Sequence, residues 1–110
     1  GLGRRALAHR DFGPWNWIRG GRRLWVVDLE HARPDLPLVD LTRLASGPWR
    51  RRSALADGFF AGFGRALDAE ERALLELLGL LHALTTLSWA AEGRAAHLAA
   101  DAAAVVEGLA

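Results

Sequence analysis

The chain has 110 residues and a hydrophobic fraction of 51%, enough for one globular domain with a buried core and too apolar for intrinsic disorder. Its 14 basic side chains, all arginine, stand against 13 Asp and Glu, and a net charge of +1 argues against nucleic acid or an anionic membrane surface as partner. Cysteine is absent, which excludes a disulfide framework and thiolate metal ligation and fits a reducing, cytoplasmic setting.

The first residues carry no charged segment followed by an apolar one, so no secretory signal is read there, and the start reads as a cut end. Gly1-Leu2-Gly3-Arg4-Arg5-Ala6 fits G-x-G-x-x-A, but no strand pattern precedes it, so the context of a nucleotide-binding turn is missing. Trp15 to Ile18 and Leu24 to Val27 are strand-like runs, and Gly20-Gly21 between them offers the positive-φ positions of a tight turn, predicting a β-hairpin across 15–28. Pro34 and Pro37 are then expected to hold the chain in a loop.

Beyond about Leu38 the sequence is dominated by Ala, Leu, Arg and Glu, strong helix formers. Leu38, Leu41, Leu44 and Ala45 recur at helical spacing before Gly47-Pro48, and a second helix is predicted from Arg50 to Leu67 with Leu55, Phe59, Phe60 and Phe63 as its apolar stripe. Gly62 and Gly64 lie inside it and read as sites of close helix contact, while Arg50-Arg51-Arg52 reads as a solvated helix start. Asp68 and Glu71 have the spacing of a reciprocal cap, opening a third helix over 69–92 with Gly93 as its C-cap; 94–109 form a final Ala-rich helix. The run Leu77 to Ala91 is interrupted by His82, Thr85, Thr86 and Ser88 and falls short of the roughly 18 apolar residues of a membrane span, so it reads as a helix covered by neighbours. The pattern is α+β, mainly α, in a single domain: loop and hairpin over 1–36, helices over 37–110.

Polar residues suited to chemistry concentrate in His9 to Asn16 and again at Asp28 and Glu30. Asp11 and Asn16 are five residues apart on a Gly/Pro-containing loop, and Asp28 lies seventeen beyond Asp11 at the far end of the hairpin, so the turn can return all three to one place. Such oxygen donors suit Mg²⁺, which shares its ligands with substrate phosphates. His9, His31, Asp28 and Glu30 as a transition-metal cluster is the competing reading, without helical His spacing to support it. His82 and His97 read as packing or surface residues.

At these positions the sequence resembles a known family. His9-Arg10-Asp11-Phe12-Gly13-Pro14-Trp15-Asn16 resembles the H-x-D-x-x-x-x-N loop of kinases, and Val26-Val27-Asp28-Leu29-Glu30 resembles the strand-borne I-D-[FW]-E element of aminoglycoside phosphotransferases and choline kinases. Pro37 to Leu44 is similar to that family's D-L-A helix and Phe59 to Leu67 to its F-x-x-G-Y-G segment, so the resemblance spans most of 7–92. It implies the C-terminal lobe of a protein-kinase-like fold, with a catalytic loop, a small hairpin and about four helices. It further implies that Asp11 accepts or orients the proton of a small-molecule hydroxyl, and that Asn16 and Asp28 hold Mg²⁺ on the phosphates of ATP or another nucleoside triphosphate. His9 would brace the loop and Asp40 would hydrogen-bond its backbone. Two positions depart: Gly13 stands where many relatives have a second His, and Trp15 where they often have Gly or Arg.

Such an enzyme also needs an N-terminal lobe with a phosphate-covering loop, a strand lysine and a partner glutamate, whereas this chain has no lysine and reaches His9 after eight residues. The expectation is therefore a partial catalytic lobe, inactive by itself. A reading of another class is a non-catalytic helical binding or pseudokinase-like module. The acceptor molecule is not legible in the sequence.

Overall fold

In a computed structural model of the chain, which describes residues 4–94 and 99–108, the architecture is α+β and mainly α. Two small antiparallel sheets precede five α-helices among the described residues. The expected hairpin is present: β2 (Trp17–Gly20) pairs with β3 (Arg23–Val26), with Trp17 opposite Val26 and Gly20 opposite Arg23. Its turn is Gly21-Arg22 rather than Gly20-Gly21, and only Gly21 takes a positive φ, 58°, the pattern of a type II′ connection. A second sheet was not expected. β1 (Ala6–Ala8) pairs with β4 (Arg33–Asp35), placing Leu7 opposite Pro34, so Pro34 is a strand residue and not a loop residue. Both strands of a two-stranded sheet are edges, where a residue without an N–H donor is tolerated.

The helical part departs from expectation mainly in its breaks. Residues Pro37–Leu41 form a 3₁₀ turn that runs into α1 (Thr42–Ser46), so Asp40 sits in that turn and not in an α-helix. The helix predicted over 50–67 is two: Pro48 opens the short α2 (Pro48–Arg51), Arg52 is extended, and α3 (Ser53–Phe63) stops at Gly64. Proline at the first helical position starts a new turn instead of continuing the old one. Trp49 packs with Phe59 and Phe60 at ring separations of 5.3 and 5.4 Å, whereas Leu55 and Phe63 remain exposed. Neither Gly62 nor Gly64 has a neighbour within 4 Å of its missing Cβ, so neither marks a close helix contact.

The long helix α4 (Ala69–Ala91) begins as predicted. Glu71 N–H donates to Asp68 Oδ1 at 2.8 Å, and Asp68 N–H donates to Glu71 Oε1 at 3.0 Å. Arg65 adds two hydrogen bonds of 2.6 and 2.8 Å to the Glu71 carboxylate. The Arg65 guanidinium, then the Asp68 backbone N–H, hold the Glu71 carboxyl at a pKa of about 2. At the other end Arg94 N–H reaches Trp89 O and Gly93 N–H reaches Ala90 O, a Schellman closure with Gly93 at φ 78°.

Helix α5 (Ala99–Glu107) packs along α4; of the predicted final helix Arg94 is not helical, and 95–98, with His97, and 109 lie outside the described residues, as do 1–3. Arg51 and Arg50 of the arginine run tie α2 to α5, through Asp101 Oδ1 at 2.6 Å and Ala104 O at 3.2 Å. The core gathers Ala8, Leu38, Leu44, Ala83 and Ala102 with Thr42 and Thr86. Helix α4 is covered on one side only: Gly79, Ala83 and Thr86 are buried, while Leu77, Leu81 and Leu84 are half exposed. Its 23 residues, with a mean hydropathy of 1.4 in the most apolar window, are long and apolar enough to cross a bilayer, contrary to the sequence expectation. Within the chain α4 packs against α1 and α5.

Candidate active site

The loop between β1 and the hairpin is held from two sides. Asp40 accepts the backbone N–H of His9 at Oδ2 (2.9 Å) and that of Arg10 at Oδ1 (2.8 Å), so one carboxylate satisfies two consecutive donors. His9, itself buried, bridges to the hairpin: its Nδ1 accepts from Asp11 N–H at 3.1 Å and its Nε2 lies 2.7 Å from Val27 O. An acceptor at Nδ1 and a carbonyl at Nε2 select the neutral tautomer with the proton on Nε2. Phe12 stacks edge-on between His9 and Trp17, closing the loop over an apolar floor.

Asp11 and Asn16 touch. Asn16 Nδ2 donates both to Asp11 O (2.8 Å) and to Asp11 Oδ2 (3.1 Å). A 3₁₀ turn over Pro14–Asn16 brings them together, because Pro14 pre-sets the first helical φ and Asn16 N–H closes on Gly13 O at 2.9 Å. The other carboxylate oxygen, Asp11 Oδ1, accepts from the Trp15 indole N–H at 3.1 Å and is ion-paired with Arg43 of α1. The Arg43 guanidinium also lies 5.7 Å over the Trp15 ring. The two departures from the family pattern are coupled: a Cβ on Gly13 would stand 2.3 Å from the Trp15 ring, so the indole can fold back to Asp11 only over a glycine.

Asp28 follows directly on the hairpin. Val27 N–H donates to Asn16 O at 2.9 Å, which fixes the residue before Asp28 against the loop, and the Asp28 side chain is exposed. Arg10 and Asp28 have φ of 71° and 64°, and they alone among the described non-glycine residues have positive φ. Strained backbone at two points of one loop pair is a recurring property of functional sites. The Arg10 side chain pairs with Asp35, its buried Nε 3.2 Å from Asp35 Oδ2 but without the alignment of a hydrogen bond.

Sequence reasoning pointed to Asp11, Asn16, Asp28, His9 and Asp40; hydrogen bonds join His9, Asp11, Asn16 and Asp40, whereas Asp28 is one residue past the Val27–Asn16 backbone bond with its side chain exposed and hydrogen-bonded to none of the four. It missed Arg43. The available signal was position: Arg43 is three residues after Asp40 and therefore on the same face of the turn. Beneath the loop, a cavity of about 160 Å³ is lined by Arg10, Phe12, Arg43, His82 and Trp89. Burial, then the nearby Arg43 charge, depresses the His82 pKa against the opposing effect of Asp11. Glu30 and His31 pair with each other at 3.2 Å on the surface, and among the described residues no three His, Asp or Glu side chains cluster as metal ligands.

The phosphotransferase enzyme family matches the chain over residues 2–78, which takes in the loop, the hairpin, α1 to α3 and the first half of α4. No curated protein and no solved structure matches the chain.

Proposed function

The chain belongs to the phosphotransferase enzyme family, and from that premise we propose that it is the catalytic-lobe part of an enzyme that moves the γ-phosphoryl group of ATP, or of another nucleoside triphosphate, to a hydroxyl of a small molecule. The observation that carries the proposal is the joined pair Asp11 and Asn16, with Asp28 the next residue after the Val27–Asn16 backbone bond. In this reading the acceptor oxygen forms a bond to the γ-phosphorus as the bond from that phosphorus to the leaving diphosphate breaks. The acceptor proton passes to Asp11. Because such transfer demands mostly alignment and charge neutralisation, a rigidly held carboxylate is the main contribution of this lobe.

The donor set fits Mg²⁺. Asn16 directs its amide nitrogen to Asp11, leaving Oδ1 as a neutral oxygen donor, and no side chain among the described residues pairs with the Asp28 carboxylate. Asn16 and Asp28 would hold the ion, which when bound neutralises charge on the nucleotide phosphates. With no lysine in its sequence, this lobe does not supply the lysine that grips phosphates in such enzymes; the 110-residue chain alone is expected to transfer nothing.

The test is phosphoryl transfer from γ-labelled ATP to a panel of small alcohols by the complete protein. Replacing Asp11→Ala should lower kcat by at least about 10²-fold with the fold intact by circular dichroism. An unaffected rate would remove Asp11 from this role.

A further inference from the structure

The acceptor bonds of Asp11 are unevenly distributed. A carboxylate offers about four lone-pair positions, two on each oxygen. Oδ1 has both filled, by the Arg43 guanidinium and the Trp15 indole N–H, whereas Oδ2 has one donor, Asn16 Nδ2. We infer that Arg43 and Trp15 form a clamp that anchors Oδ1 and presents the remaining lone pair of Oδ2 as the atom that receives the acceptor proton. The inference rests on the transferase reading above and adds two positioning residues to it.

The clamp is built into the fold. Arg43 is mostly buried, with a side-chain exposure of 19%, and it projects from the start of α1, directly after the 3₁₀ turn whose Asp40 holds the His9 and Arg10 backbone. Backbone and side chain of the catalytic loop are thus indexed to one continuous segment. The Trp15 ring packs over the Cα of Gly13 and under the guanidinium, which fixes the direction of its N–H. A freely rotating aspartate would present either oxygen; one held at Oδ1 presents Oδ2 alone, and misplacement of a reacting group by about 1 Å costs on the order of 10²-fold in rate.

The experiment is a double-mutant cycle in the complete protein. Arg43→Met should lower kcat by about 10²-fold and Trp15→Phe, which keeps the ring but removes the donor, by about tenfold, with KM for the nucleotide within about twofold. Arg43→Lys should recover part of the loss. In an Asp11→Asn background, neither substitution should lower the residual rate further, because the group they position no longer accepts a proton. A merely structural Arg43 would give additive losses, and additive losses, or an unchanged kcat in the single variants, would overturn the clamp. If Arg43→Met fails to fold, the cycle runs with Trp15→Phe, whose side chain is half exposed. Absence of transfer by the unsubstituted protein would instead refute the transferase reading and the clamp with it.

Discussion

Asp40 gives the sharpest test of how the loop is held. Its two oxygens accept two consecutive backbone donors at 2.8 and 2.9 Å. Asp40→Asn keeps the shape but turns one acceptor into a donor facing an N–H, so one charge-assisted hydrogen bond is lost, about 1.5–3 kcal/mol. Asp40→Ala leaves both donors without a partner at about 1–3 kcal/mol each; His9 is buried, while Arg10 is more open to water, which recovers part of its share, so about 3–4 kcal/mol is expected. Against a stability of about 5–15 kcal/mol for a domain of this size, either change is large. Urea unfolding with a slope of about 2 kcal/mol/M should show the midpoint of Asp40→Asn about 1 M lower at unchanged slope. Amide exchange should then show His9 and Arg10 losing protection first. A midpoint within about 0.2 M of the parent, with both amides still protected, would refute the account of Asp40 as the anchor of this loop.

Two further outcomes follow from the backbone and the cap. At φ 64° Asp28 is in the left-handed region, so Asp28→Gly should be more stable than Asp28→Ala by about 1 kcal/mol in denaturant unfolding, while both variants lose phosphoryl transfer; equal stability of the two would show the strain to be negligible. Glu71 has its folded pKa lowered to about 2 from an ordinary 4.5, so its stabilisation is fully present above 4.5 and is lost as pH falls toward 2; Glu71→Gln should flatten the thermal-stability profile in that window, and an unchanged slope would remove Glu71 from it.

What the sequence made legible was what depends on neighbours in the chain. Asp68 and Glu71 reveal their cap because both partners lie within one turn, and the hairpin shows through two short apolar runs around glycine. The break at Arg52 escapes the same reasoning, since Arg, Ala and Leu favour helix on both sides; the stop at Gly64 is local, a left-handed glycine cap at φ 96° that in the sequence reads as a residue inside the helix. Pro34 was assigned to a loop because proline disfavours strands in general; its partner Leu7, 27 positions away, supplies an edge where the penalty vanishes.

Arg43 was invisible for a related reason. An arginine on a helix is by default a solvated residue, and its partner Asp11 is 32 positions earlier. Yet the segment that carries Arg43 also explains the strain at Arg10. A left-handed non-glycine residue costs about 1–2 kcal/mol, and it persists only where surrounding contacts enforce it. The two backbone N–H groups that donate to Asp40, of His9 and of Arg10 itself, flank that peptide, and together these bonds offset the cost. With Arg10 so bent, Asp11 leaves the β1 direction and meets Arg43 at the start of α1, three residues beyond Asp40. Strain, anchor and clamp are therefore consequences of a single seven-residue segment, Pro37 to Arg43, and replacing Asp40 should release all three together.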